Sequence, residues 1–153
     1  EIDEEWQQTQ AAARALGLEL HSVEVRSRDH LKSAVEAAVR HQADGLLVLA
    51  DRLTWNYAYT IADLATKAGV PAMFSARHSA DRMNGFMSYG ADPVSLGQRA
   101  ATLLDKILKG AKPADLPFEQ PTTLELVINL KTAKALSLKI PPSVLIRADK
   151  VIQ

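Results

Sequence analysis

The chain contains no cysteine, which excludes a disulfide framework and thiolate metal sites but fits a reducing or an oxidising compartment equally well. It has no excess of charge either: 18 basic residues balance 18 acidic ones, so no global field draws it to nucleic acid or to an anionic membrane. Long hydrophobic runs are missing. The longest, residues 45 to 50, is far too short to span a bilayer, and the acidic opening EIDEEWQQ lacks the basic-then-apolar layout of a secretory leader.

Several catalytic signatures are absent as well. Neither GxGxxG nor GxxxxGK[ST] occurs, so the glycine-rich backbone that cradles phosphates is not present. GxSxG is missing too, leaving no strained nucleophile turn. His21, His30, His41 and His78 are scattered, with no metal-ligand spacing. No metal, cofactor or catalytic group is expected. A stand-alone doubly wound enzyme would need such a group at a strand end.

What the sequence does contain is a core. At 153 residues and 47% hydrophobic, the chain suits one folding unit. Asp3 is placed to cap a first helix that ends at Gly17. LELHSVEV, 18–25, reads as a strand with one shift of apolar parity. From Ser27, Leu31, Ala34, Val35, Ala38 and Val39 recur at helical spacing. LLVLA, 46–50, has the length and continuity of a strand covered on both faces. Thr54 begins a helix burying Ile61, Leu64, Ala65 and Ala68, and VPAMF, 70–74, is the next strand.

This alternation with short connections predicts an α/β fold with a mainly parallel sheet. FMSYG, 86–90, then leads to Asp92-Pro93, a cap and first-turn pair opening a helix over 93–109. LELVI, 124–128, is a last strand, Asn129 caps a helix through Ala135, and IPPS stops it.

Ligands of open α/β sheets sit beyond the carboxyl ends of the strands. The residues there are Asp51 and Arg52, then Ser75 and Arg77, then Ser88, Tyr89 and Asp92, with Asn129 after the last strand. Asp51 suits a ligand amino or hydroxyl group, although an aspartate after a strand is more often a turn or cap residue bonding its own backbone. Tyr89 suits stacking, or filling the sheet edge. Trp55 and Tyr59, at i and i+4, either flank a cleft or pack on one side. Arg52 or Arg77 turned inward would favour a carboxylate ligand.

The tail, with SYG at 88–90, KILKGAKPADLP at 106–117, ELVINLKTAKAL at 125–136 and the IPP that follows, resembles the C-terminal part of a solute-binding-protein family of ABC transporters. That family includes tryptophan- and tyrosine-type components. ARALGLELHSVEVRS, ADGLLVLAD and GVPAMF extend the resemblance over essentially the whole chain. Ser137 stands where relatives often place glycine.

The resemblance implies a Rossmann-like three-layer lobe of a two-lobe type I periplasmic binding protein, closing as a hinge. By that analogy residues 1–88 belong to the second lobe, which lacks its first strand. Residues 89–120 cross to the first lobe with their helix, and 121–153 return. Full members are much longer, their first lobe being absent here.

The implied activity is binding of a small organic solute, an aromatic amino acid or aromatic acid, at Asp51, Arg52, Ser75, Arg77, Ser88, Tyr89 and Asp92. The implied partner is an importer permease, and the implied location is periplasmic or lipid-anchored extracellular. A ligand-sensing regulator of the same fold is the alternative. The helix at 93–109, deprived of its usual partner, predicts a homodimer through its stripe of Leu96, Leu103, Leu104 and Ile107.

Overall fold

The computed structural model describes residues 2–75, 79–80, 83–121 and 123–153. Among them, one sheet carries five strands in the order β1-β2-β3-β4-β5. These are β1 (Leu46–Val48), β2 (Ala72–Phe74), β3 (Met87–Ala91), β4 (Leu124–Asn129) and β5 (Lys150–Ile152). The pairs β1–β2, β2–β3 and β4–β5 are parallel, and β3–β4 is antiparallel. The chain therefore leaves the sheet along β3 and comes back beside it along β4.

The helices are α1 (Ile2–Leu16), α2 (His30–Arg40), α3 (Arg52–Asn56), α4 (Ala58–Lys67), α5 (Pro93–Leu108), α6 (Leu130–Ala135) and α7 (Pro142–Leu145). Helix α1 starts before Asp3 and ends at Gly17, whose φ of +68° is the left-handed closure that glycine adopts without strain. The helix predicted from Thr54 is two helices. Asp51, not Thr54, is the cap, and Tyr57, at φ −112° and ψ 17°, separates them.

The core forms where α2 and α4 lie on one face of the sheet. Leu31, Ala58, Ile61, Ala62, Ala65, Ala72 and Phe74 make one buried cluster, with Leu46 and Val48 packed against it. The register explains this: Leu46 faces Ala72 and Val48 faces Phe74, so alternate residues of both strands point to the same helices. Burying a side chain such as Phe74 or Ile61 contributes about 1.5–3 kcal/mol. The many alanines on α4 let that helix approach closely.

Two expectations about the first strands are corrected. Residues 18–25 form no strand. A strand needs a neighbour for its backbone groups, and the sheet ends at β1. Among the described residues, the backbone–backbone bond from 18–25 is that of Leu18 N–H to Ala13 O, at 2.9 Å. As an edge strand, β1 is also not covered on both faces: Leu47 is 51% exposed. The doubly covered strand is β4, where consecutive residues Val127 and Ile128 are both fully buried.

Two elements had no legible sequence signal. Strand β5 has three residues, too few for any periodicity, and Pro141-Pro142 starts α7 as well as stopping what precedes it. Helix α5 emerges capped by Asp92 and, as its pattern predicts, displays its apolar stripe. None of its residues is buried, and Val94, Leu96, Leu104 and Leu108 are exposed.

Candidate functional site

The carboxyl ends of β1, β2 and β3 lie side by side, because Val48 pairs with Phe74 and Phe74 with Ser88. After β1 the chain turns into α3 through a capping box. Thr54 N–H donates to Asp51 Oδ1 at 2.6 Å, and Asp51 N–H donates to Thr54 Oγ1 at 2.9 Å. The Thr54 hydroxyl donates in turn to Leu49 O at 2.8 Å, which fixes the cap against the strand end. The cap uses only one carboxylate oxygen: Asp51 Oδ2 has no protein partner among the described residues. Asp51 is thus both a cap and a half-buried acceptor at the strand end.

Ser75 follows β2 directly, half-buried, and its hydroxyl likewise has no partner among the described residues. Together with Thr54, Trp55, Ser79, Val48 and Phe74 it lines a dent at the ends of β1 and β2. Trp55 is 47% exposed, so it offers a ring edge or face rather than lying flat in the core. The dent has a volume of only about 10 Å³, room for about one water. No organic solute is enclosed by this surface alone.

The other predicted residues separate. Ser88 is completely buried in β3 and presents nothing to the open strand ends. Tyr89 points to the opposite face of the sheet from Ser88 and is 48% exposed, level with Ser75. Asp92 is a buried cap of α5: Val94 N–H donates to its Oδ1 at 3.2 Å and Ser95 N–H to its Oδ2 at 2.9 Å. Arg52 is exposed at the start of α3, and Arg77 lies outside the described residues. The structure therefore leaves Asp51 and Ser75 after the ends of the neighbouring strands β1 and β2, with Ser75 and Trp55 lining the same dent. Tyr59 is exposed on α4, a different helix from Trp55.

Asn129 drops out by topology. Strand β4 runs antiparallel to β3, so its carboxyl end is at the other end of the sheet, where Asn129 N–H donates to Phe86 O at 3.0 Å. Its side chain caps α6, accepting from Lys131 N–H at 3.0 Å and Thr132 N–H at 3.2 Å, and donates to Ala80 O at 3.1 Å. Sequence reasoning missed Ser79. It is buried, lines the dent, and accepts Gly85 N–H on its carbonyl at 2.8 Å. Its distance from any apolar run gave no signal.

Gly90 holds these strand ends in register. A Cβ there would stand 1.8 Å from Ser75 O, so only glycine lets β3 pass the end of β2 at this distance. Among the described residues no group of three or more His, Cys, Asp or Glu is placed to hold a metal ion. Nor is any helix long and apolar enough to cross a membrane.

Comparison with solved structures finds this fold in three other proteins. A conserved domain protein from Vibrio cholerae O1 biovar El Tor superposes with a TM-score of 0.87 at 24% identity, over 98% of this chain and 50% of that one. The ABC domain in complex with L-Trp from Streptococcus pneumonia gives 0.86 at 29% identity, again over 98% of this chain and 50% of that one. A ligand-free, open substrate-binding protein with adhesive properties from Clostridium difficile gives 0.67 at 18% identity, over 100% and 51%. The chain spans about half the length of each. A comparison with curated proteins gives no match. The family described as ABC transporter substrate binding protein matches residues 3–152, nearly the whole chain, and the protein belongs to that family.

Proposed function

We propose that the chain is one lobe, with its hinge strap, of a two-lobe solute-binding component of an ABC importer, and that it takes an aromatic amino acid. The observation that carries this is the pair of unpartnered acceptors, Asp51 Oδ2 and Ser75 Oγ, beside the half-exposed Trp55, on a fold shared with a relative in complex with L-Trp. In this reading residues 1–88 and 121–153 form the lobe, and 89–120 cross to the other one. The ligand ammonium pairs with Asp51, the Ser75 hydroxyl bonds its carboxylate, and Trp55 and Tyr89 bound the ring. The shallow dent is the reason a second lobe is needed: the cleft closes between two halves. Such a component works outside the cytoplasmic membrane, periplasmic or lipid-anchored, and delivers its solute to a membrane permease.

Calorimetric titration of the two-lobe protein with L-tryptophan tests this. Asp51→Asn keeps the cap, because asparagine caps as well as aspartate, but removes the charge facing the ammonium. Loss of a charge-assisted hydrogen bond of about 1.5–3 kcal/mol lowers affinity by roughly 10- to 100-fold. Unchanged affinity in Asp51→Asn, or an aromatic acid without an amino group binding as tightly as L-tryptophan, would overturn the assignment and turn attention to Arg52.

A further inference from the structure

The sheet has a second concave surface, far from Asp51 in sequence and different in character. Leu130, Leu138, Ile140 and Leu145, with Lys134 and Lys139, line an open groove of about 320 Å³ between α6 and the loop into α7. The groove arises from the way α6 ends. Ser137 turns with a positive φ of 56°, and Leu138 N–H reaches back to Ala133 O at 2.9 Å. That closure swings Leu138 out beside the helix, and Pro141-Pro142 stiffens the far wall. Next to it Ile146 is 86% exposed.

The charge around the groove is one-sided. Between residues 130 and 150 there are five basic residues, Lys131, Lys134, Lys139, Arg147 and Lys150, and one acidic residue, Asp149. The chain as a whole is neutral, so this segment concentrates positive charge that the rest balances with negative. Lys131, Lys134, Lys139 and Arg147 are exposed and make no ion pair among the described residues. The single acid, Asp149, is exposed, and its Oδ2 accepts Leu126 N–H at 2.8 Å.

Topology also fixes where it lies. Strands β4 and β5 are parallel, so α6 and its following loop return the chain to the end where both begin. Because β4 is antiparallel to β3, that is the end at which β1, β2 and β3 finish. By strand direction, the groove and the candidate ligand site share one end of the sheet.

We propose that this groove is a docking site for a partner protein, which inserts a branched apolar side chain between Leu138, Ile140 and Leu145 from an acidic segment that meets Lys134 and Lys139. The concavity favours a protein segment over a lipid surface, because a bilayer presents no protruding side chain to fill it. The uncompensated lysines favour acidic flanks, through steering and exclusion of basic partners.

The probe is a fluorescein-labelled peptide, EEELLEEE, titrated into the chain and followed by anisotropy and by amide chemical shifts. Shifts confined to residues 130–148, affinity that falls as salt rises from about 50 to about 500 mM, and loss of binding by the peptide EEESSEEE are the expected results. Lys134→Glu/Lys139→Glu should weaken binding about tenfold or more, while Lys106→Glu/Lys112→Glu, the same charge change on the strap, should not. Equal binding of the serine peptide, equal loss in both double variants, absence of shifts in 130–148, or capture of the chain by anionic vesicles but not by the peptide would each overturn the proposal.

Discussion

Two glycine-to-alanine substitutions should move stability in opposite directions. At Gly90 the new Cβ would stand 1.8 Å from Ser75 O and 2.8 Å from Ser75 C. Carbon and oxygen atoms in contact are normally about 3.3–3.6 Å apart, so one backbone must retreat by roughly 1.5 Å. Gly90 lies in β3 and Ser75 directly follows β2, and because the atoms met are backbone, no side-chain rotation relieves the clash. Overpacking costs about 1–3 kcal/mol where side chains can adjust, and occasionally more; with backbone on both sides we expect about 3 kcal/mol. At Gly97, by contrast, a Cβ meets nothing within 4 Å, in the exposed interior of α5. Alanine there should stabilise by about 1 kcal/mol through helix propensity alone. For a chain of this size each kcal/mol moves the melting temperature by about 2–4 °C. Thermal unfolding followed by circular dichroism should therefore show Gly90→Ala lower by roughly 6–12 °C and Gly97→Ala higher by roughly 2–4 °C. A Gly90→Ala protein melting within about 2 °C of the parent would refute the close approach of β3 to the end of β2.

Asp92→Ala should cost about 1–2 kcal/mol in urea unfolding, since it strips the acceptors of Val94 N–H and Ser95 N–H, while Asp92→Asn should recover most of that loss. Glu119 accepts both Nε–H and Nη2–H of Arg99, and this hydrogen bonding holds its carboxyl below the ordinary carboxylate range. A depressed folded pKa gives stability that is present above the unfolded pKa and lost as pH falls through the folded one. Glu119→Gln should accordingly flatten the acid side of the stability curve below about pH 4.5. Salt should shrink the difference, because the pair is on the surface.

The elements with strong local chemistry were legible in the sequence. Asp92-Pro93 and Asn129 announce helices α5 and α6 because a cap is a contact with the next three residues, and such contacts are written locally. The stripe from Leu31 to Val39 gave α2, of which Leu31, Val35 and Ala38 are buried. What the sequence hid depends on neighbours distant in the chain. LELHSVEV has strand composition, yet a strand forms only if another lies beside it, and here β1 is the edge. Ser88 and Tyr89 are adjacent in sequence and lie on opposite faces of the sheet, one sealed and one exposed. Asn129 follows a strand, but a reversed one, which sends it to the wrong end for a ligand. Strand direction is a tertiary fact, and no residue near Asn129 records it.

Helix α5 offers the sharpest test of the proposed crossing, by comparing the chain alone with the proposed two-lobe protein. Leu96 and Leu104 are exposed on α5 at 42% and 55%, on the same stripe as the half-buried Leu103 and Ile107. If residues 89–120 cross to a second lobe, that stripe is where the lobe packs, and Leu104 becomes a core residue. Replacing it by lysine then loses the transfer energy of a buried leucine, about 1.5–3 kcal/mol, and adds the cost of placing a charge against apolar surface. In the chain alone Leu104 is already 55% exposed, and the same change should stay within about 0.5 kcal/mol. Urea unfolding of both proteins with Leu104→Lys separates the cases. A large loss in the two-lobe protein and none in the chain supports the crossing. Equal, small effects in both would mean that α5 does not meet the other lobe. A large loss in the chain that grows with its concentration would show instead that the stripe pairs two copies, because only association makes stability depend on concentration.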